Sequence, residues 1–352
     1  MRCAFALVEC LSLDSAMLRS LIFVAVTMLL LFAIELIYMP IAKSKGWTSQ
    51  KNMRRDNHPV AVIGGGIIFY AAMVLWSLGM SLVYGDYAPG SYFLIGLTML
   101  AATSFADDIL CLSVWIRLLV HFVAVVFMCF SFQVLELSPW LLLLYITAAS
   151  GFVNGYNFMD GINGMTAGYS VVVLGVLLYI NSMAMHFSSG SLIAVALGAA
   201  MVFGFFNFRR RALVFAGDVG SISMGYIVTF LMTQYILMSG SCAGLVLVSV
   251  YVTDIVMTIL RRLLEGDNIF RAHRKHIYER LHFVWRLPQL CISSVYCLMQ
   301  LGISVIYLCL PDVNVRSAYC LGAYAVLVLV YLSMMYLTER KIKREPSLNS
   351  AG

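Results

Sequence analysis

The sequence predicts an all-α integral membrane protein, a polytopic bundle of about eleven transmembrane helices with its chemistry at the cytoplasmic face. Three observations carry this expectation. Of 352 residues, 62% are hydrophobic and only 11% are charged, whereas a soluble domain carries roughly 25% charged residues. The apolar residues fall in runs of bilayer length, because a hydrocarbon core about 30 Å thick takes about 20 helical residues. Lys and Arg fall almost wholly in alternate connections between those runs, of which only the one after the fifth run carries none, the charge pattern of a multi-pass chain.

The runs lie at 18–39, 60–84, 91–106, 116–135, 139–156, 165–186, 191–208, 222–240, 243–262, 290–310 and 317–337. Polar motifs cut into the ends of 91–106 and 139–156, which makes those two the weakest. No linker, low-complexity tract or fixed-period repeat interrupts the chain, so residues 1–352 read as one membrane domain with a tail from 339. Residues 1–16 contain Glu9 and Asp14, and Met17 opens a cleaner start, MLRSLIFV. They read as a short external extension or as sequence upstream of the true start, not as a cleaved signal peptide. The nine cysteines form no CxxC pair and read as small buried hydrophobes, not as a disulfide frame or a zinc site.

An odd number of spans puts the termini on opposite sides. The connections after spans 1, 3, 7 and 9 hold Lys43 to Arg55, Arg117, Arg209 to Arg211 and Arg261 to Arg286, and the tail adds Arg340 to Arg344. Of 23 basic residues only Arg2, Arg19 and Arg316 fall on the other face. The N-terminus is therefore expected outside and the C-terminus in the cytoplasm.

Four carboxylates stand in motifs at cytoplasmic span ends: Asp107 and Asp108 in FADDILCLS, Asp160 in NGYNFMDGING and Asp218 in FAGDVGSISMGY. A carboxylate at the bilayer edge is costly unless solvated or paired, so each is a functional suspect. Two adjacent aspartates repel, and a divalent cation or an arginine cluster relieves them; a solvated helix end is the bland alternative. Glycines around Asp218 allow close approach of a bulky ligand, and a helix N-terminus beside it suits phosphate, although a Gly-rich turn with serine caps explains the same residues. In FRAHRKHIYERL, His273 and His276 are interleaved with Arg271, Arg274 and Lys275. The arginines disfavour zinc and favour a diphosphate, against a plain lipid-headgroup contact. Gly64 to Gly66 read equally well as a helix-packing surface. Asp254, Glu35 and His121, inside spans, read as structural pairing residues. Carboxylates for a metal, cations for phosphates and a lipid setting together point to phosphoryl chemistry between a soluble nucleotide donor and a lipid phosphate.

The order DD, NxxNxxDGxNG, FxGDxGSxxxG and HRxHxY resembles the polyprenyl-phosphate N-acetylhexosamine-1-phosphate transferases of glycosyltransferase family 4, over about residues 18–340. The HRKHIYERL form looks more like the O-antigen-initiating members than the peptidoglycan branch, where adjacent histidines stand. The resemblance implies transfer of a sugar 1-phosphate, GlcNAc-1-phosphate first among candidates, from a UDP-N-acetylhexosamine to undecaprenyl phosphate, with release of UMP. It implies the bacterial inner membrane and Mg²⁺, with Mn²⁺ as a substitute. By family pattern Asp218 is the metal ligand, and Asp107 and Asp108 engage and deprotonate the lipid phosphate. Asp160 and Asn157 order the metal–diphosphate region. Phe215 stacks on uracil with Asn207 nearby, and His273, Arg274 and His276 hold the diphosphate. Two positions depart from the pattern: Asn163 stands where a second Asp is common, beside the nucleoside or metal, and Ile63 where an Arg usually precedes the glycines. Dolichol relatives also carry Asn at the first place. The remaining expected partners are membrane lipids and no nucleic acid; family members can form homodimers. A phospho-MurNAc-pentapeptide transferase and, in a different class, an ion-coupled transporter are the competing functions.

Overall fold

A computed structural model describes residues 2–49, 61–84, 91–110, 112–268 and 275–345. Among these the chain is helical, with isolated bridges and no named strand. The helices are α1 (Arg2–Ser44), α2 (Ile67–Tyr84), α3 (Ser91–Leu110), α4 (Val114–Phe130), α5 (Pro139–Phe158) and α6 (Met165–Met183). They continue with α7 (Gly190–Asn207), α8 (Gly217–Ser239), α9 (Ser249–Leu264), α10 (Ile277–Phe283), α11 (Gln289–Cys309) and α12 (Val313–Arg344). Every predicted run corresponds to a helix, and the short α10 is additional. Among the described residues eight helical stretches are long and apolar enough to cross a membrane, and Ile67–Leu82 and Val114–Phe130 are apolar but shorter. The protein is a multi-pass membrane protein.

α8 is the central element. Its residues are buried on every side, as expected of a helix that is apolar all round, and it packs against α2, α3, α5 and α6. Exposed leucines, isoleucines and valines cover α1, α11 and α12, the surface expected where lipid is the solvent. Cys129 and Cys320 are buried as predicted, but Cys242, Cys291 and Cys309 are exposed; in a lipid-facing helix an apolar thiol need not be inside.

Three boundaries differ from the sequence expectation, each for a tertiary reason. The run at 60–84 becomes helical only at Ile67. Residues 61–66 instead lie alongside 213–216: Phe215 N donates to Val62 O at 2.7 Å, Gly65 N to Phe215 O at 3.0 Å and Gly66 N to Ala216 O at 3.1 Å. The run at 222–240 starts earlier, at Gly217, because its first amides are capped from α3. The run at 243–262 opens as a 3₁₀ turn over Cys242–Val248. Gln300 of α11 takes up the donors and acceptors loosened there, accepting from Val250 N at 3.1 Å and donating to Val246 O at 3.0 Å.

The intramembrane polar residues divide. Asp254 is fully paired, as expected. Glu35 is wholly buried, yet among the described residues neither of its carboxyl oxygens has a hydrogen-bond partner. His121 is buried with its Nδ1 likewise unpartnered. The His121 ring does meet the Asn154 side chain, so of these two only Glu35 lacks the expected pairing among the described residues.

Candidate active site

Asp107 and Asp108 occupy the last turn of α3, and both are engaged. Asp108 accepts from Asp218 N at 2.9 Å and from Val219 N at 3.1 Å. It is the cap of α8, supplied by a helix remote in sequence and satisfying amides that a helix N-terminus leaves open. A carboxylate there also complements the positive end of the helix dipole. Gly217 makes the approach feasible: its φ is +69°, and a Cβ on it would lie 2.6 Å from Asp108 Oδ2. Asp107 accepts from Leu112 N at 2.6 Å and from Arg117 Nη1 at 2.6 Å. The same Arg117 nitrogen lies 3.3 Å from Asp218 Oδ2. One guanidinium thus bridges carboxylates from α3 and α8.

Asp160 follows α5 in the connection to α6. Burial pushes its carboxyl up to about 7, with the negative charges of Asp218 and Asp108 adding to the rise and the Thr166 hydroxyl opposing it. Carboxylates from three separate connections therefore share one electrostatic neighbourhood. Asn157 joins it from the end of α5, its Oδ1 accepting from Ser221 Oγ of α8 at 2.9 Å.

The shifted Asp160 makes stability depend on pH. Between its ordinary value of 3.8 and about 7, the folded chain keeps a proton that the unfolded chain has released. Stability therefore falls as pH rises through that window. Asp160→Asn is expected to flatten this fall, read as the apparent melting temperature of metal-free protein in detergent from pH 5 to 8. An unaltered slope would remove Asp160 from the buried acid group.

The nucleoside-side candidates are braces as much as contacts. Asn207 is buried; its Oδ1 accepts from Gly164 N and its Nδ2 donates to Val214 O, both at 2.8 Å. It ties the glycine motif after Asp160 to the strand-like segment before Phe215, whose ring is part-buried. Asn163 donates through Nδ2 to the carbonyls of Arg209 at 3.0 Å and Arg210 at 3.4 Å. A carboxylate at this position would face those two carbonyls with no proton to offer, which accounts physically for the amide. Ile63, at the other departure, accepts from Tyr38 Oη at 2.7 Å through its carbonyl. It helps line a cavity of about 390 Å³ that reaches Asp108.

His276 is buried, and its Nδ1 lies 3.1 Å from Asp254 Oδ1. Tyr278 donates to Phe158 O at 2.7 Å and packs under Gly161, where a Cβ would lie 2.2 Å from the Tyr278 hydroxyl. The histidine segment is thereby held against the loop that carries Asp160. His273 and Arg274, with Arg54 and Arg55, lie outside the described residues.

Arg117 is the residue that motif reading missed, having been counted only as a cytoplasmic charge. Its signal was its place ten positions after Asp107, one turn into the following helix.

No three His, Cys, Asp or Glu side chains among the described residues form a closed metal shell. Mg²⁺ does not require one, since it binds through one or two carboxylates plus waters and substrate phosphates. The hard oxygen donors of Asp218 and its neighbours fit that ion, and Asp218 keeps 27% of its side-chain surface exposed.

Known proteins resemble this chain over the segments that build this site. The profile of "Glycosyl transferase family 4" matches residues 91–236, from the start of α3 almost to the end of α8. A probable undecaprenyl-phosphate N-acetylglucosaminyl 1-phosphate transferase of Bacillus subtilis is 24% identical over 293 residues, 76% of this chain and 79% of that one. The undecaprenyl-phosphate alpha-N-acetylglucosaminyl 1-phosphate transferase of Escherichia coli K12 is 26% identical over 280 residues, 73% and 74% of the two chains. A phospho-N-acetylmuramoyl-pentapeptide-transferase of Lactobacillus acidophilus is 28% identical over 163 residues, only 45% and 48%. The profile covers the DD pair, the DGxNG loop and the Gly-Asp start of α8, so the chain is similar to glycosyl transferase family 4 over the segments that carry these carboxylates.

Proposed function

We propose that this protein transfers an N-acetylhexosamine 1-phosphate, GlcNAc-1-phosphate first among candidates, from its UDP-sugar to undecaprenyl phosphate. UMP is released and a cell-surface glycan is initiated. The observation that carries the proposal is one acid cluster: Arg117 bridges Asp107 and Asp218, Asp108 accepts from Asp218 N, and Asp160 lies within electrostatic reach of Asp108 and Asp218. The relatives that match along most of their length bear names of this reaction. Acids gathered at one membrane face suit a lipid–nucleotide reaction better than mid-bilayer ion coupling.

The proposed chemistry is a direct displacement. An oxygen of the lipid phosphate forms a bond to the β-phosphorus of the UDP-sugar. The bond from that phosphorus to the oxygen bridging the two phosphates breaks, and UMP leaves with the electron pair. A phosphate monoester has its second pKa near about 6, so the acceptor is largely dianionic at neutral pH. The main task is then to bring two polyanions together. Asp218, assisted by Asp160 and Asn157, is the proposed holder of Mg²⁺ or Mn²⁺, which when bound neutralises diphosphate charge and stabilises the leaving UMP. Arg117 supplies a fixed cation beside Asp107, where the acceptor phosphate is proposed to enter. Asp108 holds the N-terminus of α8, and with it the position of Asp218. Phe215 is proposed to face the uracil, while His273, Arg274 and His276 serve the diphosphate side.

The test is turnover in membrane vesicles containing undecaprenyl phosphate. Inside-out vesicles are expected to release UMP from added UDP-GlcNAc and to form a lipid-linked sugar, whereas sealed right-side-out vesicles are not; this also checks the cytoplasmic orientation. A lipid-free preparation is expected to release none. Preference for UDP-MurNAc-pentapeptide over UDP-GlcNAc and UDP-GalNAc, or product formation without UMP, would overturn the proposal.

A further inference from the structure

We infer that Asp254 is a positioning residue for the transfer reaction, setting the tautomer and orientation of His276 for the donor diphosphate. This rests on the function proposed above. Asp254 lies inside α9 and is buried, where a carboxylate is costly unless its oxygens are satisfied. Here four donors satisfy it. Its Oδ1 lies 3.1 Å from His276 Nδ1 and accepts from Ile277 N and Thr258 Oγ1, both at 3.2 Å. Its Oδ2 accepts from Tyr296 Oη at 2.7 Å.

A carboxylate can only accept, so the proton in the His276–Asp254 contact belongs to Nδ1. That assignment leaves Nε2 as the ring nitrogen with chemistry to perform, an acceptor when neutral and a second donor when the ring is charged. A carboxylate behind an imidazole also locks the plane of the ring, which suits a histidine that must meet phosphate oxygens.

The surroundings fix the ring relative to the acid cluster. Ile277 N, on the next residue, is bound by the same carboxylate oxygen. Glu279 Oε2 accepts from His276 N at 3.3 Å and closes the first turn of α10. Tyr278 then ties this turn to Phe158 O, two residues before Asp160, and the His276 and Phe158 rings stand 6.2 Å apart. Thr258 also meets Tyr331 Oη of α12 at 3.0 Å, so Asp254 is the point at which α9, α10, α11 and α12 agree on where His276 stands. A hydrophobic residue could have packed these helices; a carboxylate that also holds a ring nitrogen of a histidine does more than pack them.

The test compares wild type, Asp254→Asn, His276→Gln and the double variant, reading UMP release and UDP affinity by calorimetry on purified protein. Asp254→Asn is expected to weaken turnover and UDP binding by about 10- to 100-fold, and the double variant to lose no more than His276→Gln alone. Losses that multiply, or an Asp254→Asn variant as active as wild type, would overturn the inference. A measurement on wild type alone stands beside these: ¹⁵N spectra of histidine-labelled protein, with His276→Gln used for assignment, should show His276 protonated at Nδ1. Protonation at Nε2 alone would overturn the inference even if Asp254→Asn failed to fold. If wild type binds UDP yet releases no UMP from UDP-GlcNAc, the proposed transfer fails, while the tautomer and the UDP-binding losses still decide the role of Asp254.

Discussion

Asp218→Asn is expected to cut metal-dependent UMP release by about a thousandfold, the scale seen when a group stabilising developing charge is removed, while the fold is retained. The substitution is nearly isosteric. An amide oxygen can still accept from Arg117, which now lies 3.3 Å from the carboxylate. The backbone N–H of residue 218 still binds Asp108, so the cap of α8 survives. What disappears is one negative charge at a part-exposed position in the first turn of α8. A hard divalent cation is far less attracted to an amide than to a carboxylate. Two readouts besides turnover accompany the assay: the melting temperature, expected to stay within a few degrees of wild type, and Mn²⁺ binding by electron paramagnetic resonance in the presence of UDP, expected to be lost. A variant that binds Mn²⁺ as wild type does would take the metal away from Asp218.

Gly66→Val should cost about 3 kcal/mol of stability, the upper end for forcing atoms into a packed core, and should prevent recovery of monodisperse protein. A Cβ at Gly66 would lie 2.3 Å from Gly220 Cα and 2.8 Å from Ala216 O. Both are backbone atoms, so no rotamer change relieves the overlap. The clash is reciprocal, since a Cβ at Gly220 would stand 2.5 Å from Gly66 Cα. Separating the two backbones would also break the Gly66 N to Ala216 O bond of 3.1 Å and shift Gly217, which rests on Gly64 and Asp108. Gly175→Ala is the control. It sits within α6 with nothing within 4 Å of a built Cβ, and its thermal midpoint is expected to hold or rise, as helix propensity favours alanine. Equal tolerance at Gly66 and Gly175 would show that the α2–α8 contact is looser than described.

Much of this protein is legible in its residues. Spans follow from the local density of apolar side chains, since a bilayer imposes the same length on each helix; the runs at 18–39, 165–186 and 290–310 each reappear as helices. The acidic motifs could be read because carboxylates at span ends are rare and costly. The partnerships of those acids could not be read. Asp108 caps a helix that begins more than a hundred residues later, so the start of α8 at Gly217 depends on α3. Arg117 looks like any loop cation until α4 folds back and sets it between Asp107 and Asp218. Gly64 to Gly66 read as a packing surface with no partner named, and the partner is Gly220 and Ala216 of the remote segment that opens α8; Asp254 and His276 are joined only when α9 and α10 meet. Hydropathy and charge bias act residue by residue along the chain, so sequence alone determined the membrane architecture and marked the acidic side chains as candidates for chemistry. Hydrogen bonds and backbone contacts need a few ångströms between residues remote in sequence, so only the tertiary structure decided which of those side chains meet.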